Sequence, residues 1–177
     1  LNDILNAIRS QSINSEHLQA LQATRQQDIG EIFTRLYTHN MDVDNINYQH
    51  LNEIDNESHQ FNAVVDGNDK LIETLKSSVR APEELALKKH AKVMFVKNNF
   101  DMGYINGSLG EVIGFEEDDK QGILPKVKLT DGTTLLVEPE TWSIENEAGK
   151  AIASFQQIPL RLAWAITIHK SQGMTLE

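Results

Sequence analysis

Residues 159–177 read PLRLAWAITIHKSQGMTLE, and their order constrains the fold more tightly than any other stretch. Pro159 marks a change of element, and Leu162, Ala165, Ile166 and Ile168 offer apolar side chains for burial, so a helix is expected over 160–169. Gly173 breaks that pattern, and Met174, Thr175 and Leu176 begin a new strand. Helix, polar turn and strand in succession are a layered α/β signature. Thr167, His169, Lys170, Ser171 and Gln172 place five polar groups in six residues at the end of the apolar run. A buried helix has no use for that density, because each interior polar group needs a partner. Two readings stay open on chemistry alone. A turn of this kind suits an oxygen-rich, charged ligand such as a phosphate chain, or it is a polar helix end facing water with His169 in a structural role.

Upstream of this run the pattern changes to short strands. KVMFVK at 92–97 is the best strand in the chain, and NNFDMGYINGSLG at 98–110 is a glycine-rich turn region whose strongest signal is Asn106-Gly107. Strands are expected over 110–115, 125–129, 133–137 and 142–145, with Asp131-Gly132 as a hairpin turn and 116–120 as an exposed acidic loop. Small strands at this density need a curled or closed sheet, so a small SH3-like barrel is expected over 92–147, left at Ala148-Gly149. Residues 154–158 return to an extended run.

The first half reads mostly helical. Ile4, Leu5 and Ile8 form one apolar face, and Asn14 or Ser15 caps a second short helix through Leu18 and Leu21. EIFTRLY at 31–37 is a strand apolar on both sides, as in the middle of a layered sheet. Asp42 reads as a cap, followed by Val43, Ile46, Asn47, His50, Leu51 and Ile54 at helical spacing. A strand over 61–65 closes at Asp66-Gly67, and Pro82 reads as the first turn of a helix through Leu85 and Leu87.

Composition bounds the rest. The chain has 177 residues, 40% of them apolar and 24% charged, which suits one substantial core with a small satellite. Its net charge of -10 lacks the positive footprint of a free-standing nucleic-acid-binding domain. The absence of cysteine excludes disulfides, thiolate metal sites and cysteine nucleophiles. No apolar run of membrane-spanning length occurs and the start is not a signal peptide, so an intracellular location and no membrane partner are expected. The chain starts on Leu1 and stops directly after its most patterned segment, and it is expected to be an excerpt of a longer polypeptide.

The run at 159–177 is closely similar to motif V of superfamily 1B DNA helicases of the Pif1 and RecD-like type. LNDILNAIR at 1–9 resembles the segment after motif IV of those enzymes, and FTRLYTHNMDVDNINYQHL at 33–51 resembles the following strand, turn and helix. VMFVKNNFDMGYINGSLGEVIGF at 93–115 resembles the start of the inserted SH3-like 2B domain. The resemblance implies an α/β fold: a RecA-like motor domain of the P-loop NTPase type, without its own Walker A, carrying a small all-β insert. Residues 1–91 would be the first part of domain 2A, 92–147 the 2B barrel, and 148–177 the return to 2A with motif V. By the same resemblance Thr167 and His169 lie along the path of single-stranded DNA, with Lys170 and Ser171 near its phosphates. Gln172 and Gly173 face the cleft where ATP hydrolysis is coupled to movement, and Thr38 and Asn40 approach the DNA backbone. Asn98 and Asn106-Gly107 match turn positions at the junction of 2A and 2B. The parent would use ATP and Mg2+, bind single-stranded DNA, move 5′ to 3′, and close on this segment with its N-terminal ATP-binding domain.

Departures from the full pattern limit what this stretch does by itself. There is no GxxxxGK[ST]; the nearest string, Ala148-Gly149-Lys150-Ala151, lacks the first glycine and the hydroxyl. No convincing Walker B pair is present either, so no ATP hydrolysis and no bound cofactor are expected of the chain alone. A nonenzymatic nucleic-acid module would need aromatic and basic residues interleaved on the barrel. Only Phe95, Tyr104, Phe115 and Trp142 are available, beside the repulsive acids at 116–119. A helicase-derived protein-interaction scaffold is the other alternative, favoured only by the acidity and the missing half. The histidines at 17, 39, 50, 59, 90 and 169 form no metal-ligand spacing with carboxylates, and Glu116-Glu117 and Asp118-Asp119 lie in a solvent loop unsuited to glycosidase chemistry.

Overall fold

The structure, a computed structural model, describes residues 2–25, 34–38 and 40–167. The expected turn at Gly173 and strand at 174–176 lie outside the described residues. The chain divides into two units, Leu1–Phe33 and Thr34–Glu177.

In the first unit, helix α1 (Asn2–Arg9) is followed by α2 (Ser15–Ala23). Asn14 starts α2 as expected: its Oδ1 accepts from the His17 amide at 2.9 Å while His17 Nδ1 accepts from the Asn14 amide at 3.3 Å. The other ring nitrogen, Nε2, lies 3.2 Å from Asp3 Oδ2, so the same imidazole ties α2 to α1.

The second unit begins with strand β1 (Arg35–Tyr37) and helix α3 (Asn40–Glu53). Strands β2 (Ser58–Asn62) and β3 (Val64–Gly67) follow, so the single strand expected over 61–65 is two, parted at Ala63. Helix α4 (Asp69–Ser78), capped by Asn68, has no counterpart in the sequence reading. Strand β4 (Glu84–Lys88) replaces the helix expected after Pro82. Leu85 and Leu87 are both buried, with relative exposures of 2% and 0%, because they face the core at period two while β4 pairs antiparallel with β2. Strand pairing overrides the helical signal of Pro82.

Next come β5 (Lys92–Phe95), β6 (Leu109–Asp118), β7 (Gly122–Leu129), β8 (Thr134–Leu136), β9 (Glu140–Glu145) and β10 (Ala151–Gln157). The acidic stretch expected as a loop is in part the end of β6, where Glu116, Glu117 and Asp118 pair with Leu124, Ile123 and Gly122. The expected helix over 160–169 is also corrected: its described part forms β11 (Leu160–Leu162) and β12 (Ala165–Thr167). Leu160 and Leu162 pair with Phe95 and Val93, and Ala165 pairs with Arg35. A short apolar run supports either element, and here two different sheets claim its two ends.

The main sheet has the order β11-β5-β6-β7-β8 and is antiparallel throughout. A three-stranded sheet, β3-β10-β9, takes up the strand around Trp142, and β1-β12 is a parallel pair. The largest core cluster joins Leu85, Leu87, Val93, Phe95, Val112, Val127 and Leu160 from β4, β5, β6, β7 and β11. A second cluster packs Leu75 of α4 on Phe155 of β10, and a third joins Met94, Ala163 and Ile166. Among the described residues no helix is long and apolar enough to cross a membrane.

Candidate nucleic-acid interface

Strands β1 and β12 run parallel with Arg35 opposite Ala165, Leu36 opposite Ile166 and Tyr37 opposite Thr167. Their C-terminal ends therefore open together. Ligands of α/β sheets collect at such ends. Thr38, directly after β1, and Thr167, the last residue of β12, come from distant parts of the sequence to the same edge of the fold. Thr38 is exposed, whereas Thr167 is buried at 2% exposure. Asn40 opens α3. His169, Lys170, Ser171, Gln172 and Gly173 lie outside the described residues.

The strand leading to this edge is held from several sides. Thr34 Oγ1 donates to the Ala163 carbonyl at 2.8 Å, and the Arg35 amide donates to the Trp164 carbonyl at 3.0 Å. Asn47 of α3, only 4% exposed, bonds both backbone groups of Ala165. One turn further along α3, His50 stacks on Trp164 with ring centroids 5.6 Å apart. The same helix thus begins at Asn40 and braces the start of β12. Asn47 had a visible sequence signal: it is a polar residue among the apolar positions of a helix face.

The turn from Asn98 to Ser108 is built on a second polar network. Asn98 Oδ1 accepts from the Asn106 amide at 2.7 Å, and Asn99 and Tyr104 exchange backbone bonds of 2.9 and 3.1 Å. Glu140 gathers Lys97 Nζ at 2.9 Å, Asn99 Nδ2 at 2.6 Å and the Tyr104 hydroxyl at 3.0 Å. Burial opposes ionisation of Glu140, yet these three donors hold its carboxyl below the usual carboxylate range. Burial, and then the bond to the Glu140 carboxylate, push the Tyr104 hydroxyl well above its ordinary value. These bonds explain Asn98, Asn99 and Tyr104 as turn-shaping groups.

The described residues enclose cavities, two of which have defined linings. The larger, about 960 Å³, opens between β2, β7 and β10 and shares no lining residue with β1 or β12. A smaller one of about 310 Å³ is lined by residues of α3, the segment around Arg80, β4 and β11. Among the described residues, no three His, Asp or Glu side chains converge as metal ligands. Ala148-Gly149-Lys150-Ala151 occupies the hairpin between β9 and β10, where Asn146 Oδ1 accepts from the Ala148 and Lys150 amides, each at 3.0 Å. A phosphate-cradling loop joins a strand to a helix, so this string does not fit ATP.

The described residues thus form a mixed α/β, strand-rich fold in which a parallel pair stands beside antiparallel sheets. The family model described as "DNA helicase Pif1, 2B domain" matches residues 70–115, beginning ahead of the boundary expected at 92. A Psychrobacter protein named ATP-dependent DNA helicase Pif1 is 40% identical over 100% of this chain and 34% of its own length. The human ATP-dependent DNA helicase PIF1 is 39% identical over 98% of this chain and 27% of its own. A crystal structure of Bacteroides sp. Pif1 in complex with ADP-AlF4 superposes with a TM-score of 0.83 at 31% identity, covering 99% of this chain and 40% of that one. A Bacteroides Pif1 structure bound to ssDNA covers 99% and 40% with a TM-score of 0.65. In sequence and fold the chain matches the C-terminal domain of Pif1-like superfamily 1B helicases. It spans about a third of the length of the curated relatives it matches.

Proposed function

We propose that this chain is the C-terminal motor segment of an ATP-dependent DNA helicase that couples ATP hydrolysis to translocation along single-stranded DNA, 5′ to 3′. The observation that supports the reading is the parallel register of Tyr37 with Thr167, which brings the end of β1, just before Thr38, beside the end of β12. Single-stranded DNA crosses that edge through sequence-independent contacts to Thr38, Asn40, Thr167, His169, Lys170 and Ser171. Gln172 and Gly173 face the ATP cleft, whose phosphate-binding residues and Mg2+ site belong to the N-terminal motor domain of the same polypeptide. In this reading 1–91 and 148–177 form domain 2A and 92–147 form 2B. Alternating closure of the two motor domains moves the strand, and the segment alone does not hydrolyse ATP.

The test is the ATPase rate of the full polypeptide, with and without single-stranded DNA, beside His169→Ala and Gln172→Ala. Strong DNA stimulation that collapses in both variants is expected. A full polypeptide with no ATPase under either condition would sink the motor reading and favour a scaffold. Stimulation surviving both substitutions would keep the enzyme class and discard the site.

A further inference from the structure

Arg161 sits between Leu160 and Leu162 in β11, a strand buried at all three residues, and is itself only 8% exposed. Its Nε is buried without a hydrogen-bond partner among the described residues. Asp44 attracts the guanidinium from beyond ion-pair distance, and Arg80 repels it. A buried, permanently charged fork with an unused donor costs several kcal/mol unless something answers it. Arg161 lines the cavity of about 310 Å³, together with Arg80, Asp44, Tyr48 and Glu84. Arg80, Asp44, Tyr48 and Glu84 are exposed, so they form the mouth and Arg161 the interior wall.

We propose that this cavity is a binding site for a single phosphate-class oxyanion, with Arg161 as its interior donor and Arg80 as a second cation at the mouth. A planar guanidinium matches the oxygen pair of a phosphate. The volume stands at the low end of ligand pockets, which suits one small tetrahedral group and its water rather than a whole nucleotide. Asp44 and Glu84 at the mouth weaken attraction for a polyanion and restrict the site to one group. That group is either a backbone phosphate of a bound strand or free phosphate; the chemistry is shared.

The proposal is tested by melting the full-length protein in sodium phosphate against sodium chloride of equal ionic strength. A phosphate-specific rise of about 2 °C is expected at tenfold excess over Kd. Arg161→Met abolishes it, and Arg80→Gln, at the exposed mouth, shifts it to several-fold higher phosphate. Identical melts of the wild type in the two salts, or an undiminished rise in Arg80→Gln, would overturn the site. So would an Arg161→Met protein that is stabilised equally in both salts while the wild type ignores phosphate, since that marks a merely unpaired charge. Single-stranded DNA affinity across salt then separates the sources. A slope lowered by about one in Arg80→Gln assigns a strand phosphate, and an unchanged slope with the phosphate rise shifted assigns the free ion. A protein that failed to bind DNA at all would defeat the helicase reading and leave the phosphate melt intact.

Discussion

The carboxamide of Asn47 makes both hydrogen bonds that a neighbouring strand would make to Ala165: Nδ2 donates to the Ala165 carbonyl at 2.9 Å and Oδ1 accepts from its amide at 3.0 Å. On the other edge of β12, the Arg35 amide donates to the Trp164 carbonyl at 3.0 Å. A helix side chain therefore stands in for a strand, and α3 becomes the part that fixes the position of β12.

Replacing Asn47 by Ala is expected to destabilise the protein by about 2–4 kcal/mol in urea denaturation, because two buried backbone groups lose their partner. Asn47→Asp keeps size and one acceptor but sets a carboxylate oxygen against the Ala165 carbonyl, so it costs at least as much. Tolerance of Asn47→Asp would show that only volume matters there.

The Glu140 network makes stability depend on pH at both extremes. The folded carboxyl titrates below its unfolded value, so its contribution is present above the ordinary range and lost as pH falls below about 4. Tyr104 has the opposite sign: its raised value gives stability that is complete below about pH 10 and lost as pH rises further. Melting profiles of Glu140→Gln should flatten the acid limb, and those of Tyr104→Phe the alkaline limb. Unchanged profiles would remove the network from the stability of the 98–108 turn.

Gly110 explains one glycine of the NGSLG string by close approach. A Cβ there would stand 2.7 Å from Val127 Cγ1 and 2.8 Å from the Lys128 carbonyl oxygen, and the second of these is backbone. Gly110→Ala should force β6 from β7 and cost about 1–3 kcal/mol, read as a lowered Tm. An alanine variant of wild-type stability would contradict the pairing.

Gln157, 3% exposed, donates through Nε2 to the carbonyls of Phe61, Pro82 and Glu83, each at 3.0 Å, and accepts from the Ile158 amide at 2.8 Å. It ties the end of β10 to β2 and to the segment before β4. Gln157→Leu preserves the volume and strands those groups, with an expected loss of about 3 kcal/mol by chemical denaturation. A loss under 1 kcal/mol would mean that water replaces the side chain.

Local chemistry made much of this legible beforehand. The Asn14 cap, the α3 face from Val43 to Leu51, the KVMF strand and the Asp131-Gly132 hairpin all follow from signals a few residues long, and each formed. The elements that went astray are short apolar runs after Pro82 and Pro159, prolines that mark a boundary without choosing between helix and strand. Leu85 and Leu87, like Leu160 and Leu162, fit a helix face or a buried strand equally well until partners exist.

For the site, the motif V run announced its family in its residue order, and Thr38 and Asn40 followed by resemblance. Asn47 and Arg161 were visible only as polar residues in apolar company. By itself the sequence determined the family, the strand-rich middle and the turn chemistry, because these depend on neighbouring residues and on residue order. Only the tertiary structure decided that β12 lies parallel to β1, that Asn47 closes its other edge, and that Arg161 faces a cavity beside Arg80. Those relations join residues far apart in the chain, and their energy comes from contacts that no local pattern encodes.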